Sequence, residues 1–113
     1  MIRDLIKILE QDSWNRSKVS ECSLVKERNS FDVFEQVYSF YYKGKKLEIG
    51  YIVYYDENVE EKKHYFKLII KGSIYRSDEP VLEDMEKRMF TIFRNIQSHC
   101  DGALKDIMEL IEH

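Results

Sequence analysis

FDVFEQVYSFYYKGKKLEIGYIVYY, residues Phe31 to Tyr55, is the stretch whose reading decides the fold. Phe31–Tyr42 and Leu47–Tyr55 are crowded with aromatic and β-branched residues, which suit a pleated, half-buried surface. Between them, Lys43-Gly44-Lys45-Lys46 offers a tight turn with a glycine for positive φ. The segment therefore reads as a β-hairpin.

Working downstream, Asp56–Glu61 is an acidic loop and His64–Ile74 is the next strand of an antiparallel meander. Upstream, Lys18–Val25 is ambiguous and joins the sheet only as an edge strand, and Lys26–Ser30 reads as a polar turn. Ile2, Leu5, Ile6 and Leu9 fall at helical spacing, so Ile2–Glu10 is a short amphipathic helix. Trp14 is expected to plug the edge of the core. Beyond the sheet, Ser77-Asp78-Glu79-Pro80 is a helix start with proline in the first turn. Leu82, Met85, Met89, Phe93 and Ile96 continue as one apolar stripe. Asp101-Gly102 is read as a break before a final short helix bearing Leu104, Ile107, Met108 and Ile111. The expected fold class is α+β: an N-terminal helix, a three- or four-stranded antiparallel meander, and two C-terminal helices packed on one sheet face. No repeat, linker or low-complexity run divides it, so residues 1–113 form a single domain.

Register follows from the turn. With Gly44-Lys45 as the two-residue turn, Tyr42 faces Leu47, Phe40 faces Ile49 and Tyr38 faces Tyr51. The same parity sets Tyr51 against Leu68. Because side chains alternate, one face carries Tyr38, Phe40, Tyr42, Leu47, Ile49, Tyr51, Phe66 and Leu68, and the helices must cover it. The opposite face carries Tyr41, Glu48, Ile52, Tyr54, Tyr65, Lys67, Ile69 and Lys71. Tyrosine and isoleucine with a few charges is a composition that interfaces favour. The expected partner-binding set is Tyr41, Ile52, Tyr54, Tyr65, Lys67 and Ile69. The plain alternative is an ordinary solvated sheet face.

Composition narrows the function classes. A 43% hydrophobic, 35% charged chain is globular. A net charge of −3 argues against general nucleic-acid binding, which needs a cationic surplus. The two cysteines, Cys22 and Cys100, read as free thiols in a reducing, cytoplasmic setting. No apolar run reaches membrane-spanning length, and the N-terminus has no signal-peptide h-region, so no membrane partner is expected. A single alanine and a single proline amid abundant Lys, Ile, Tyr and Phe suggest an AT-rich genome, bacterial or phage.

Chemistry-bearing residue types gather only at His99-Cys100-Asp101, read as a helix end. Adjacent helical residues point about 100° apart, so His99 is poorly placed to take a proton from Cys100. His64, His99 and Cys22 lack metal-ligand spacing, and Asp56–Glu61 lacks a calcium loop's glycine. Lys43, Lys45 and Lys46 make a small basic tip. Phe90 lies off the helix stripe; the favoured reading is that the last helix folds back over it, and the other is an exposed anchor. No catalytic residue, metal or cofactor is assigned, and the chain is expected not to be an enzyme. The expected function is a small protein-binding module, such as a phage- or bacterium-encoded inhibitor of a host defence system or an immunity-type protein against a toxin. The alternative is an acidic secretion or assembly chaperone acting as a homodimer.

Overall fold

The computed structural model describes the backbone of residues 1–112 and the side chains of residues 1–102. Helix α1 (Ile2–Asp12) precedes five strands: β1 (Val19–Asn29), β2 (Val33–Tyr42), β3 (Lys45–Asp56), β4 (Glu61–Ile70) and β5 (Ser73–Arg76). A 3₁₀ helix (Pro80–Met85) then leads into α2 (Glu86–Glu112). The fold is α+β. The strands pair antiparallel in chain order, β1-β2-β3-β4-β5.

Two hairpin turns set the register. Lys43 (φ 52°) and Gly44 (φ 75°) both take the left-handed conformation that a two-residue type I′ turn requires, so Tyr42 pairs Lys45. The turn is thus Lys43-Gly44 rather than Gly44-Lys45. Every expected pairing moves by two residues: Phe40 faces Leu47, Tyr38 faces Ile49, and Tyr51 faces Phe66. A shift of two preserves which face each side chain takes, so the core face stands as expected. The second turn, Lys71 (φ 50°) with Gly72 (φ 83°), repeats the device. It splits the expected His64–Ile74 strand into β4 and β5.

The sheet has five strands, not three or four. Lys26–Asn29 is strand, and the turn falls at Ser30–Asp32. This end of β1 is exposed on both faces, so its polar residues carried no strand signal. Pairing with Phe34–Val37 decides it.

All three helical segments cover one face. Ile6 and Leu9 of α1, Leu82 and Met85 of the 3₁₀ helix, and Met89, Ile92, Phe93 and Ile96 of α2 meet Tyr38, Phe40, Tyr42, Leu47, Ile49, Phe66 and Leu68. Proline precedes Val81 and Leu82 at the start of the 3₁₀ turn, where its missing N–H costs nothing. Ser77 joins this layer to the sheet. Its backbone N–H donates to the Phe66 carbonyl, and its Oγ accepts from the Phe66 N–H, both at 2.8 Å. Tyr42 pins α1 by donating to Asp12 at 2.5 Å. Burial and the Asp12 carboxylate together push the Tyr42 phenol up to about 12.

Three further expectations are corrected. Asp101-Gly102 does not end the helix, since α2 runs unbroken through it. One glycine costs a helix only about 1 kcal/mol. A Cβ at Gly102 would approach the Arg16 guanidinium at 3.0 Å, so a small residue suits the site. The expected stripe Leu104, Ile107, Met108 and Ile111 lies outside the described side chains. Because α2 does not turn back there, Phe90 stays 49% exposed. Trp14 does not plug the core; it is 65% exposed, and buried Ser13 occupies the corner after α1.

Leu68 is fully buried at the centre of the helix-covered face. Leu68→Ala is expected to cost about 2–5 kcal/mol. Urea unfolding of the variant checks this, and an unchanged midpoint would place Leu68 outside the core.

Candidate binding surfaces

The face away from the helices is organised in cross-strand rows. Arg28, Glu35, Ile52 and Tyr65 form one; Lys26, Val37, Gly50, Lys67 and Arg76 form the next. Gly50 is the low point of the second row. A Cβ there would meet Lys67 Cε and Val37 Cγ2, each at 3.1 Å. The Lys67 stem therefore lies across β3, and its Nζ donates to Glu35 Oε2 on β2 at 2.8 Å. Lys26 reaches the other carboxylate oxygen at 3.1 Å. The side chains of Lys67 and Glu35 are only 13% and 9% exposed. Burial pushes the Glu35 carboxyl up, but the hydrogen bonds from Lys67 and Lys26 outweigh it and hold the group below the ordinary carboxylate range. Val37 and Ile52 on this face are buried, and among the described residues neither belongs to the helix-packed core.

The six residues expected to bind a partner all fall on this face, but not as one patch. Ile52 pairs with Tyr65, and the Tyr54 and Tyr65 rings meet edge to face at 6.0 Å. Arg76 stacks over Tyr65 at 3.8 Å while Asp78 holds its guanidinium. Ile69 lies two rows from Tyr65, beside Ile74. Tyr41 sits at the far end, between Ser20 and Lys46. Ile52 is buried, Lys67 is engaged with Glu35, and the others are half-buried.

The helix side holds a more concave surface. Where α2 leaves the β2–β4 end of the sheet, a groove of about 480 Å³ opens. Its walls are Phe34, Tyr51, Phe66, Phe90 and Phe93. These rings pack on one another: Tyr51 stacks on Phe66 at 4.9 Å, Phe66 meets Phe90 edge-on at 5.7 Å, and Phe93 leans on Tyr51 at 5.8 Å. Aromatic pairs of this geometry hold their arrangement through quadrupole attraction as well as burial. His64 Nε2 contacts Glu86 Oε1 at 2.8 Å, closing one end. Lys87 and Arg94 line the α2 side, and among the described residues neither forms an ion pair. Sequence reasoning singled out Phe90 but missed the groove. Phe34 and Phe90 are 56 positions apart, and only the crossing of α2 over the sheet joins them.

The remaining reactive residues take structural places. His99 Nε2 lies 2.6 Å from the Ser13 carbonyl, and Asn95 donates to Ser13 Oγ at 2.9 Å, so this turn of α2 ties down the end of α1. His99-Cys100-Asp101 is mid-helix, not a helix end. Cys22 and Cys100 are free thiols, both half-buried against the core. Burial, with Cys100 nearby, pushes the Cys22 thiol up, away from the reactive thiolate. Among the described residues no three His, Cys, Asp or Glu side chains gather as a metal site, and no helix is long and apolar enough to cross a membrane. The chain matches no known protein family, and no curated protein or solved structure matches it.

The Glu35 cluster makes a pH prediction. A carboxyl depressed in the folded state stabilises fully above its unfolded value of about 4.3, and that contribution is lost as pH falls through the lower folded value. Glu35→Gln is expected to lose about 1–3 kcal/mol at neutral pH, since Lys67 keeps its burial without its charge partner. Its stability should then change less than the wild type's below about pH 4.3. Denaturant titrations from neutral to acid pH check this; two parallel profiles would remove Glu35 from the argument.

Proposed function

We propose that this chain is a non-catalytic protein-binding module, and that the aromatic groove beneath Phe90 is its docking site. The observation that carries the reading is Phe90 itself, a large apolar ring 49% exposed at the rim of a preformed aromatic cleft. Lone exposed apolar residues are ordinary, but one that completes a concave apolar wall is what an anchor pocket requires. An apolar side chain from a partner would bury the free sides of Phe34, Tyr51 and Phe90, at about 25 cal/mol per Å² of area removed from water. Lys87 and Arg94 on the rim favour a partner with acidic residues flanking that anchor, chiefly through faster association.

This supports the coarse reading of an interaction protein. The finer reading, an inhibitor or immunity-type protein of phage or bacterial origin, fits a stoichiometric binder that seats one partner side chain in this groove. A second contact surface is favoured by one specific observation, the Tyr54–Tyr65–Arg76 stack on the outer face. Tyrosine and arginine are the residue types that carry hot spots.

The two surfaces separate by mutation. With the chain as bait and its captured partner in hand, Phe90→Glu is expected to weaken binding about thirtyfold or more, the loss typical of a hot-spot residue. Tyr54→Ala with Tyr65→Ala should change affinity by less than about threefold, because these side chains lie on the other side of the sheet. Calorimetric titration of the two variants, each first checked for an unchanged melting curve, decides between them. The reverse pattern places the contact on the outer face. A chain that is a stable dimer and holds clients in a groove shared between copies supports the chaperone reading instead.

A further inference from the structure

The helix-covered side is open at its other end too. There α1 and the two hairpin turns enclose a narrow cleft of about 400 Å³. Leu5, Ile8, Tyr42, Leu47 and Ile70 supply its apolar lining. Lys43, Lys45 and Lys71 also line it and are exposed, so they form its rim. Among the described residues none of the three forms an ion pair. The Lys43 ammonium leans over the Tyr42 ring, 5.4 Å from its centroid. Three cations thus surround one apolar cleft on a chain whose net charge is −3.

The backbone adds an independent observation. Lys43 and Lys71 occupy the same position in the β2–β3 and β4–β5 hairpins, each at φ near 50° and each followed by glycine. Glycine or asparagine takes that conformation with less strain than lysine. Glu21 and Glu60 take the same conformation elsewhere, so what distinguishes the two lysines is that their matching turns bring both to one cleft.

The lining also selects the occupant. The Tyr42 hydroxyl already donates to Asp12, and the other polar side chains are ammonium groups, which only donate. Beyond the Tyr42 hydroxyl oxygen, on a side chain only 5% exposed, a peptide entering the cleft would find no side-chain acceptor for its backbone N–H groups, and unpaired buried donors are costly. An alkyl chain has no such groups. An acceptor-only anionic head fits the lysines.

We propose that this cleft binds a free long-chain carboxylate, with the alkyl chain between Leu5, Ile8, Leu47 and Ile70 and the carboxylate among Lys43, Lys45 and Lys71. The site lies at the opposite end of the sheet from the aromatic groove and does not depend on it.

Calorimetric titration of the whole chain with dodecanoate, kept below its micelle threshold, tests the proposal. Saturable binding of one dodecanoate per chain is expected, weakened by added salt. Dodecanol, with the same chain and no charge, and acetate, with the charge and no chain, should each bind about tenfold more weakly or worse. The triple variant Lys43→Gln, Lys45→Gln, Lys71→Gln should lose about tenfold in affinity, and Ile8→Glu should abolish binding by placing a carboxylate in the cleft. If the triple variant does not fold, Ile8→Glu decides alone, because its side chain is 44% exposed and not part of the buried core. The proposal is overturned by any of four results: no saturable binding, equal affinity for dodecanol, wild-type affinity in Ile8→Glu, or attachment to phosphatidylglycerol vesicles without binding of the monomer.

Discussion

The Lys67–Glu35 pair laid across Gly50 is the interaction on which the rest of the molecule's organisation turns. A five-stranded sheet in so short a chain has helices enough to cover one side only. The other side must close itself. A lysine stem on β4 long enough to cross β3, a glycine on β3 low enough to let it pass, and a carboxylate on β2 do that together. The stem shields Val37, while its charge is neutralised at the far end. Broken at either charge, such a half-buried pair would leave its partner desolvated and alone. Gly50 is therefore where a side chain would be costly even though glycine is a weak strand former.

One-sided coverage also explains where the open surfaces lie. The helical layer packs over the middle of the sheet through Leu82, Met85, Met89, Ile92 and Ile96, and Phe40, Ile49 and Leu68 are fully buried beneath it. At either end the strands carry apolar side chains that the helices only partly cover. One end is aromatic, with Phe34 and Tyr51 facing Phe90. The other is aliphatic, with Leu47 and Ile70 facing Leu5 and Ile8. Different rims distinguish them: a His64–Glu86 contact with two α2 cations at the first, hairpin-tip lysines at the second. An acidic chain thus places some of its unpaired cations beside both apolar openings, where they can steer an anionic group toward a place to bury carbon.

Much of this was legible in the sequence, for identifiable reasons. The period-2 alternation from Phe34 to Tyr54 and the Lys-Gly turn give the hairpin, the core face and the outer face, and the faces survive a wrong choice of turn residues because parity tolerates a shift of two. The helix stripe through Leu82, Met85, Met89, Phe93 and Ile96 was visible because all five side chains meet the same core. The signal failed where local chemistry was outweighed. Lys26–Asn29 looks like a turn and is strand, because an edge exposed on both faces needs no apolar residue. Asp101-Gly102 looks like a stop and is helix, because α2 is anchored just before it by His99 and Cys100.

By itself, then, the amino-acid order determined the class of fold, the two faces of the sheet and the residues of the core, since these depend on periodicity and turn geometry within a few neighbours. It also put Tyr54 and Tyr65 on one face, though the register makes them diagonal neighbours, with Ile52 rather than Tyr54 opposite Tyr65. Tertiary structure alone decided that Ile52 is buried, that Lys67 is held by Glu35, and that Phe90 is left exposed over Phe66. It alone joined Lys43 and Lys45 to Lys71, and Phe34 to Phe90. The physical reason is separation along the chain. A cleft is made by elements that meet only after the sheet has been ordered and the helices have crossed it, and no local pattern records where they cross.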